Sequence, residues 1–187
     1  MNIIRAVKTY LRSKFGGSDK SRWSSDDSLN PNWDERTIML GRYIRPGDRV
    51  IEFGAGKMAL RNVLPEGCTY LATDIVSREP GMLAVDLNQL PLPDLGKHDI
   101  AVFSGVFEYL TDVSAVLSVV GPMVNRIAAS YMVFENKPDV VRRRANGCVN
   151  DYTEAGFIEL FGPLGFSLTD KAQWKQQVLF YFEKKGS

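Results

Sequence analysis

The sequence holds a single histidine, His98, and only two cysteines, Cys68 and Cys148, among its 187 residues. The cysteines stand in unrelated contexts without Cys-x-x-Cys spacing, which speaks against both a disulfide framework and a zinc site and makes reducing cytoplasm the expected compartment. No apolar run approaches the roughly eighteen residues that a membrane-spanning helix needs, so a soluble chain is expected. Charge of either sign is also missing in excess: the formal net charge is +1, and without a global positive field nucleic acid is not an expected partner. Neither an internal repeat nor a low-complexity tract occurs. What is present is core material, 44% hydrophobic residues, enough for one α/β domain and too little for two.

The chain is organised around Arg49-Val-Ile-Glu-Phe-Gly-Ala-Gly-Lys-Met-Ala-Leu60, a short apolar strand entering a glycine turn that opens a helix. Gly54 and Gly56 remove side chains where backbone must bend or touch a ligand. Gly54 to Ala59 also fits the G-x-G-x-x-G/A dinucleotide fingerprint, so an NAD(P)-dependent oxidoreductase is one reading. Glu52 argues against it, because dinucleotide enzymes normally hold a small or apolar residue there. Glu52-x-Gly54-x-Gly56 instead resembles motif I of the class I S-adenosylmethionine (SAM)-dependent methyltransferases.

Further strand-end acids follow in order. Asn30-Pro31 caps a helix carrying Trp33, Thr37, Leu40 and Ile44 on one face. After the glycine turn, a helix of about two turns is expected from Lys57 to Leu64, then a strand from Cys68 to Ala72 ending at Asp74. Asp74 lies about 20 residues past the turn, where nucleotide-binding α/β folds place the carboxylate for ribose hydroxyls. A third strand, Met82 to Val85, closes on Asp86-Leu87, and a fourth runs from Asp99 to Ser104. Ile127 to Phe134 form a fifth. The Arg142-Arg143-Arg144 stretch reads as loop or lid, either holding an anion or, as the plainer reading, solvated. Phe166 to Trp174 and Gln177 to Glu183 are separated by two residues, too few for a parallel crossover, so they form an antiparallel hairpin.

Residues 30 to 185 thus resemble the class I methyltransferase domain, small-molecule type, in order. The resemblance implies a Rossmann-like α/β fold with a mostly parallel seven-stranded sheet and a C-terminal antiparallel hairpin, and SAM as cofactor. It assigns Arg36, Glu52, Gly54, Ala55, Gly56, Asp74, Ile75, Asp86, Leu87 and Ser104 to the cofactor: Arg36 toward the methionine carboxylate, Asp74 to ribose, Asp86 and the Leu87 N–H to adenine. No metal is required. His98 precedes the fourth strand, away from the carboxyl ends where open sheets bind ligands, so a histidine base is not expected. The candidates for proton removal are Glu108, ranked first, and Tyr109, followed by Glu135, Asp151 and Tyr152. The segment after the fourth strand lacks the motif of enzymes that methylate base amines, which favours oxygen on a small-molecule, glycan or lipid-linked acceptor. A methyltransferase-like scaffold without catalysis is a third reading.

Residues 1 to 30 read as an appendage to the domain formed by 31 to 187. Ile3, Ile4, Val7, Tyr10, Leu11 and Phe15 recur at helical spacing with Arg5, Lys8, Arg12 and Lys14 between them and no acid. Such a helix docks on the domain or a partner, or lies weakly on anionic lipid as a peripheral contact. Residues 16 to 30 form a polar linker around Trp23, and residues 1 to 30 together are expected to be mobile and to act as a lid or docking segment.

Overall fold

The computed structural model describes residues 3–15 and 17–186, and of residues 3–6 the helical backbone alone. Helices α1 (Ile3–Lys14), α2 (Lys20–Trp23) and α3 (Asp34–Gly41) precede strands β1 (Arg49–Phe53), β2 (Thr69–Asp74), β3 (Leu83–Ala84) and β4 (Ile100–Ser104). Helix α4 (Val113–Val120), strand β5 (Arg126–Tyr131), helices α5 (Val140–Ala145) and α6 (Glu154–Glu159), and strands β6 (Phe166–Trp174) and β7 (Gln177–Lys184) complete the chain. The seven strands lie in the order β3-β2-β1-β4-β5-β7-β6. β1 to β5 pair in parallel, and β7 runs antiparallel to both β5 and β6. The hairpin is required by the two-residue connection, in which Lys175 takes a left-handed φ of 49°.

Strand alternation sends side chains to two cores. Ile51, Phe53, Ala101, Phe103, Ile127 and Ala129 face α4 and α6 and meet Phe107, Phe157, Phe161, Phe180 and Phe182. The rings pack at close range, with Phe103 4.4 Å from Phe107 and Phe161 3.8 Å from Phe182. The opposite face of the sheet presents Val50, Val102, Ala128 and Leu179 to Leu40 and Ile44 of α3 and its C-terminal extension. This second layer carries α3 across the carboxyl ends of the strands, which is how the helix before β1 reaches the site.

Three local expectations are corrected. The segment after the glycine turn is a five-residue 3-10 helix, Ala59–Val63, and not an α-helix of two turns. Met58 enters a left-handed conformation at φ 57°, and Pro65 follows closely, so the segment between them is too short for two α-helical turns. The third strand is trimmed to Leu83–Ala84. The triple-arginine stretch is helix α5, with the Asp139 carboxylate accepting the Arg142 N–H at its start. Only Arg142 of the three is solvated: its side chain is 79% exposed, Arg144 is 14% exposed and Arg143 is fully buried. Arg143 donates to the carbonyls of Met132 and Asn150 and to Tyr131 Oη, and pairs with Asp151 at 2.6 Å. Arg144 holds the same carboxylate.

Helix α1 packs on α5. Its docked face is small and polar: Thr9 and Ser13 are buried, and Thr9 Oγ1 donates to Asp19 Oδ2 at 2.6 Å. Val7 (52%), Leu11 (48%) and Phe15 (83%) are exposed. The side chains of Ile3, Ile4 and Arg5, also part of the amphipathic pattern, lie outside the described residues.

Candidate functional site

The carboxyl ends of β1, β2, β3 and β4 open into one cavity of about 140 Å³. Gly54, Ala55 and Gly56 leave β1 there, Asp74 and Ile75 end β2, Asp86 and Leu87 follow β3, and Ser104 and Gly105 end β4. Arg36 and Thr37 of α3, with Trp23, Leu29 and Trp33, cover it. The glycines are needed: Gly54 has φ 71°, and a Cβ there would lie 2.5 Å from Val106 Cγ2. Gly105 has φ 66°, and its Cβ would lie 2.4 Å from the Arg36 guanidinium.

Asp74 is oriented by backbone. Its Oδ2 accepts the Gly56 N–H at 2.7 Å and its Oδ1 the Ile75 N–H at 2.6 Å. Arg78, one helical-type spacing later, lies 2.7 Å from Oδ1. The same guanidinium donates to Asp26 Oδ1 at 2.9 Å and to the Trp23 carbonyl, tying the covering segment to the strand-end acid. Asp86 accepts the Asn88 N–H through Oδ1 at 3.1 Å, and Lys20 of α2 donates to its Oδ2 at 3.1 Å. Both carboxylates therefore carry a cation. Sequence reasoning missed Lys20 and Arg78; the i,i+4 spacing of Asp74 and Arg78 was the available signal for the second.

Arg36 is buried between Trp33 and Trp174, its guanidinium carbon 5.7 and 5.6 Å from the two ring centres. It donates to Ser104 Oγ at 3.0 Å, to the Ser104 carbonyl at 2.9 Å and to Gln177 Oε1 at 2.8 Å. Gln177, also unforeseen, passes the link inward by donating to Glu108 Oε1 at 3.1 Å. Glu108 is fully buried, accepts the Met132 N–H at 2.9 Å and lines no cavity among those described. Its other oxygen has no hydrogen-bond partner among the described residues, and burial raises its pKa.

Of the candidates for proton removal, Tyr109 alone lines the cavity. The Trp23 ring lies against it, tilted by 40° with ring centres 4.0 Å apart, and burial pushes the Tyr109 phenol up, so it holds its proton at neutral pH. Asp151 is engaged by two arginines, and Glu135 accepts the Glu154 N–H at the start of α6. Glu52 does not line the cavity. It is buried beneath the glycine turn, accepts a hydrogen bond from Tyr70 Oη, and is pushed up to about 8, first by burial.

A second cavity of about 360 Å³ adjoins the first, sharing Trp23, Trp33, Arg36, Gly105 and Tyr109 as its wall. A sheet of this order and direction is found in known structures. The fold is that of the class I SAM-dependent methyltransferases. The Synechocystis magnesium protoporphyrin IX methyltransferase with bound S-adenosylhomocysteine (SAH) superimposes with a TM-score of 0.64 at 18% identity, covering 95% of this chain and 100% of that one. The Burkholderia thailandensis 1,6-didemethyltoxoflavin-N1-methyltransferase, bound to 1,6-didemethyltoxoflavin and SAH, gives 0.62 at 15% identity, covering 95% and 88%. A SAM-dependent methyltransferase from Mesorhizobium loti gives 0.63 at 13% identity, covering 86% and 100%. No family profile matches the sequence, and no curated protein matches it by sequence. Within this methyltransferase fold the short 3-10 segment after the glycine turn is telling, because a dinucleotide site seats its pyrophosphate on the N-terminus of an α-helix there.

Proposed function

We propose that the chain is a SAM-dependent methyltransferase acting at a hydroxyl oxygen of a small-molecule, glycan or lipid-linked acceptor. The observation that carries this reading is the convergence of Asp74, Asp86 and the Gly54–Gly56 turn on one cavity, with the α-helix that a dinucleotide would need replaced by Ala59–Val63. The residues fit the cofactor. Asp74 is aimed by two backbone N–H groups and keeps acceptor capacity for ribose hydroxyls. Asp86 and the Leu87 N–H suit the adenine amine and ring, and Gly54, Ala55 and Gly56 let backbone approach the ligand. Ile75 flanks the ribose side, and Arg36, shielded by two tryptophans, supplies positive charge toward the amino-acid end. Bound SAM supplies a methyl group on a sulfonium, whose transfer to a hydroxyl leaves SAH and a proton.

The protein's contribution is positioning and water exclusion. Ser104 and Gln177 fix Arg36, and Glu108 fixes Gln177 from behind. Residues 17 to 30 act as a lid: when adenine takes Asp86, Lys20 leaves it, and Arg78 couples Asp74 to Trp23 and Asp26. Calorimetric titration with SAM, SAH and NAD tests the cofactor. SAM and SAH should bind, NAD should not, and Asp74→Ala should weaken SAM by at least tenfold with the fold retained, since a lost hydrogen bond pair to a charged acceptor is worth about 1.5–3 kcal/mol. Unchanged SAM affinity in Asp74→Ala would remove this placement, and NAD binding would favour the oxidoreductase.

The outward face of α1 supports a peripheral lipid contact for the same enzyme. Val7, Leu11 and Phe15 point away from the docked Thr9 and Ser13, with Lys8, Arg12 and Lys14 beside them. Each basic residue near an anionic surface contributes about 1 kcal/mol, which gives reversible, salt-sensitive attachment. In co-sedimentation the protein should bind anionic vesicles and not neutral ones, and a Leu11→Ser, Phe15→Ser variant should lose most of that binding. Equal partitioning of the two proteins would make α1 a docking element only.

A further inference from the structure

The second cavity has a chemistry of its own. All three tryptophans of the chain, Trp23, Trp33 and Trp174, line it together with Tyr109. They come from the lid, the segment before α3 and the end of β6, so distant parts of the sequence supply one aromatic wall. Between the rings stand amides. Asn32, Asn146 and Gln176 line the cavity and make no side-chain hydrogen bond among the described residues. Each offers a donor and an acceptor side by side. Gln177, by contrast, spends both ends of its amide on Arg36 and Glu108.

No carboxylate lines this cavity, whereas Arg22, Arg36 and Lys175 do. Lys175 sits 4.3 Å from the Trp174 ring centre, and its nearest acid, Glu35, is 3.6 Å away at the rim. The balance of charge inside is therefore positive. Small-molecule pockets are ordinarily apolar with a few polar groups. Here aromatic rings alternate with donor-acceptor pairs, a pattern that matches a sugar, whose C–H groups meet the apolar wall and whose vicinal hydroxyls meet the amides. An apolar acceptor would make no use of these three amides, whereas vicinal hydroxyls pair with them directly.

We propose that this chamber binds a sugar bearing a negatively charged group, a uronate or a sugar phosphate, as the acceptor; this rests on the methyltransferase reading for the role of the neighbouring cavity. The ring edges of Trp33 and Trp174 form the apolar wall beside the sugar, Asn32, Asn146 and Gln176 hold its hydroxyls, and Lys175 with Arg22 meets its anionic group.

Saturation-transfer NMR on the full chain, with glucuronate, glucose 6-phosphate, glucose and benzoate as separate probes, tests this, with SAH binding followed by calorimetry on the same samples. Ring-proton signals should appear for one or both charged sugars and be at least threefold weaker for glucose. A response to one charged sugar alone identifies carboxylate or phosphate as the anion. Gln176→Ala and Asn32→Ala, both at exposed positions, should each reduce that signal severalfold, and Trp174→Leu should abolish it, while SAH binding stays within twofold in the first two variants. Benzoate binding without either charged sugar, glucose equal to the charged sugars, or no sugar signal while SAH binds would overturn the proposal. Sugar signals with no SAH binding would instead overturn the methyltransferase reading and leave the sugar site standing.

Discussion

Replacing Arg143 by alanine should cost about 3–5 kcal/mol of stability, as removal of one partner from a buried charge network does. The guanidinium is fully enclosed and satisfies the Met132 and Asn150 carbonyls, Tyr131 Oη and Asp151. Alanine leaves the Met132 and Asn150 carbonyls without this donor, Asp151 with Arg144 alone, and a cavity beside β5. In a chain of this length such a loss lowers Tm by roughly 10 °C. Arg142→Ala is the control: that side chain is 79% exposed and its pair with Asp139 is a surface pair, so it should change stability by less than about 0.5 kcal/mol. Thermal unfolding of both variants decides the matter. Equal losses would mean that the three arginines are interchangeable and that α5 is held by something other than Arg143.

Glu52→Gln should remove most of a pH dependence that the protein otherwise shows. The Glu52 carboxyl is buried, with Tyr70 donating to it and Asp74 nearby, and is pushed up to about 8 from an ordinary 4.5. An acid with a raised folded pKa binds more protons when folded than when unfolded between those two values. Its stabilising contribution is full below about pH 4.5 and is lost as pH rises toward 8. Over that window the loss from this one group is on the order of 2–4 kcal/mol. Glutamine keeps the acceptor for Tyr70 without the charge, so the variant should be more stable than the parent at pH 8 and closer to it at pH 5. Denaturant unfolding at pH 5, 6.5 and 8 checks this; parallel curves for the two proteins would show that Glu52 does not titrate in the window.

What the sequence made legible was whatever a local physical signal determines. Gly54 and Gly56 announce positive φ, Asp74 and Asp86 announce strand ends, and two residues between β6 and β7 permit only a hairpin. The mostly parallel sheet around that hairpin was what the methyltransferase resemblance implied. Three neighbouring arginines, in contrast, carry no mark of which one turns inward; the choice of Arg143 is made by Asp151 and by carbonyls on other segments. The apolar stripe of α1 likewise gave no hint that Thr9 and Ser13 would be its docked side, because the partner groups, Asp19 and α5, are set by tertiary packing. The 3-10 turn after β1 hinges on Met58 in a left-handed conformation, which few side chains adopt and no propensity predicts. Gln177 gave the weakest signal of all, an amide at a hairpin that becomes the link between Glu108 and Arg36 only when β7 lies beside β5.

The same distinction separates the two halves of the site. The proposed cofactor side is built from strand ends and turns, where local signals and the methyltransferase resemblance let residues be proposed one by one. The proposed acceptor side is assembled from the segment around Trp23, the segment before α3, the end of α5 and the β6–β7 turn, which are brought together by folding alone. Its tryptophans and amides are individually unremarkable in sequence.

Cofactor binding at this site requires that adenine displace Lys20 from Asp86 while Asp74, still beside Arg78, receives the ribose hydroxyls. A structure of the protein crystallised with SAH tests it most directly. Ribose hydroxyls should lie on Asp74 and the adenine amine on Asp86 with the Leu87 N–H meeting the ring, and Lys20 should have moved off the Asp86 carboxylate. SAH bound elsewhere, or a cavity without SAH at saturating concentration with Lys20 still on Asp86, would contradict it.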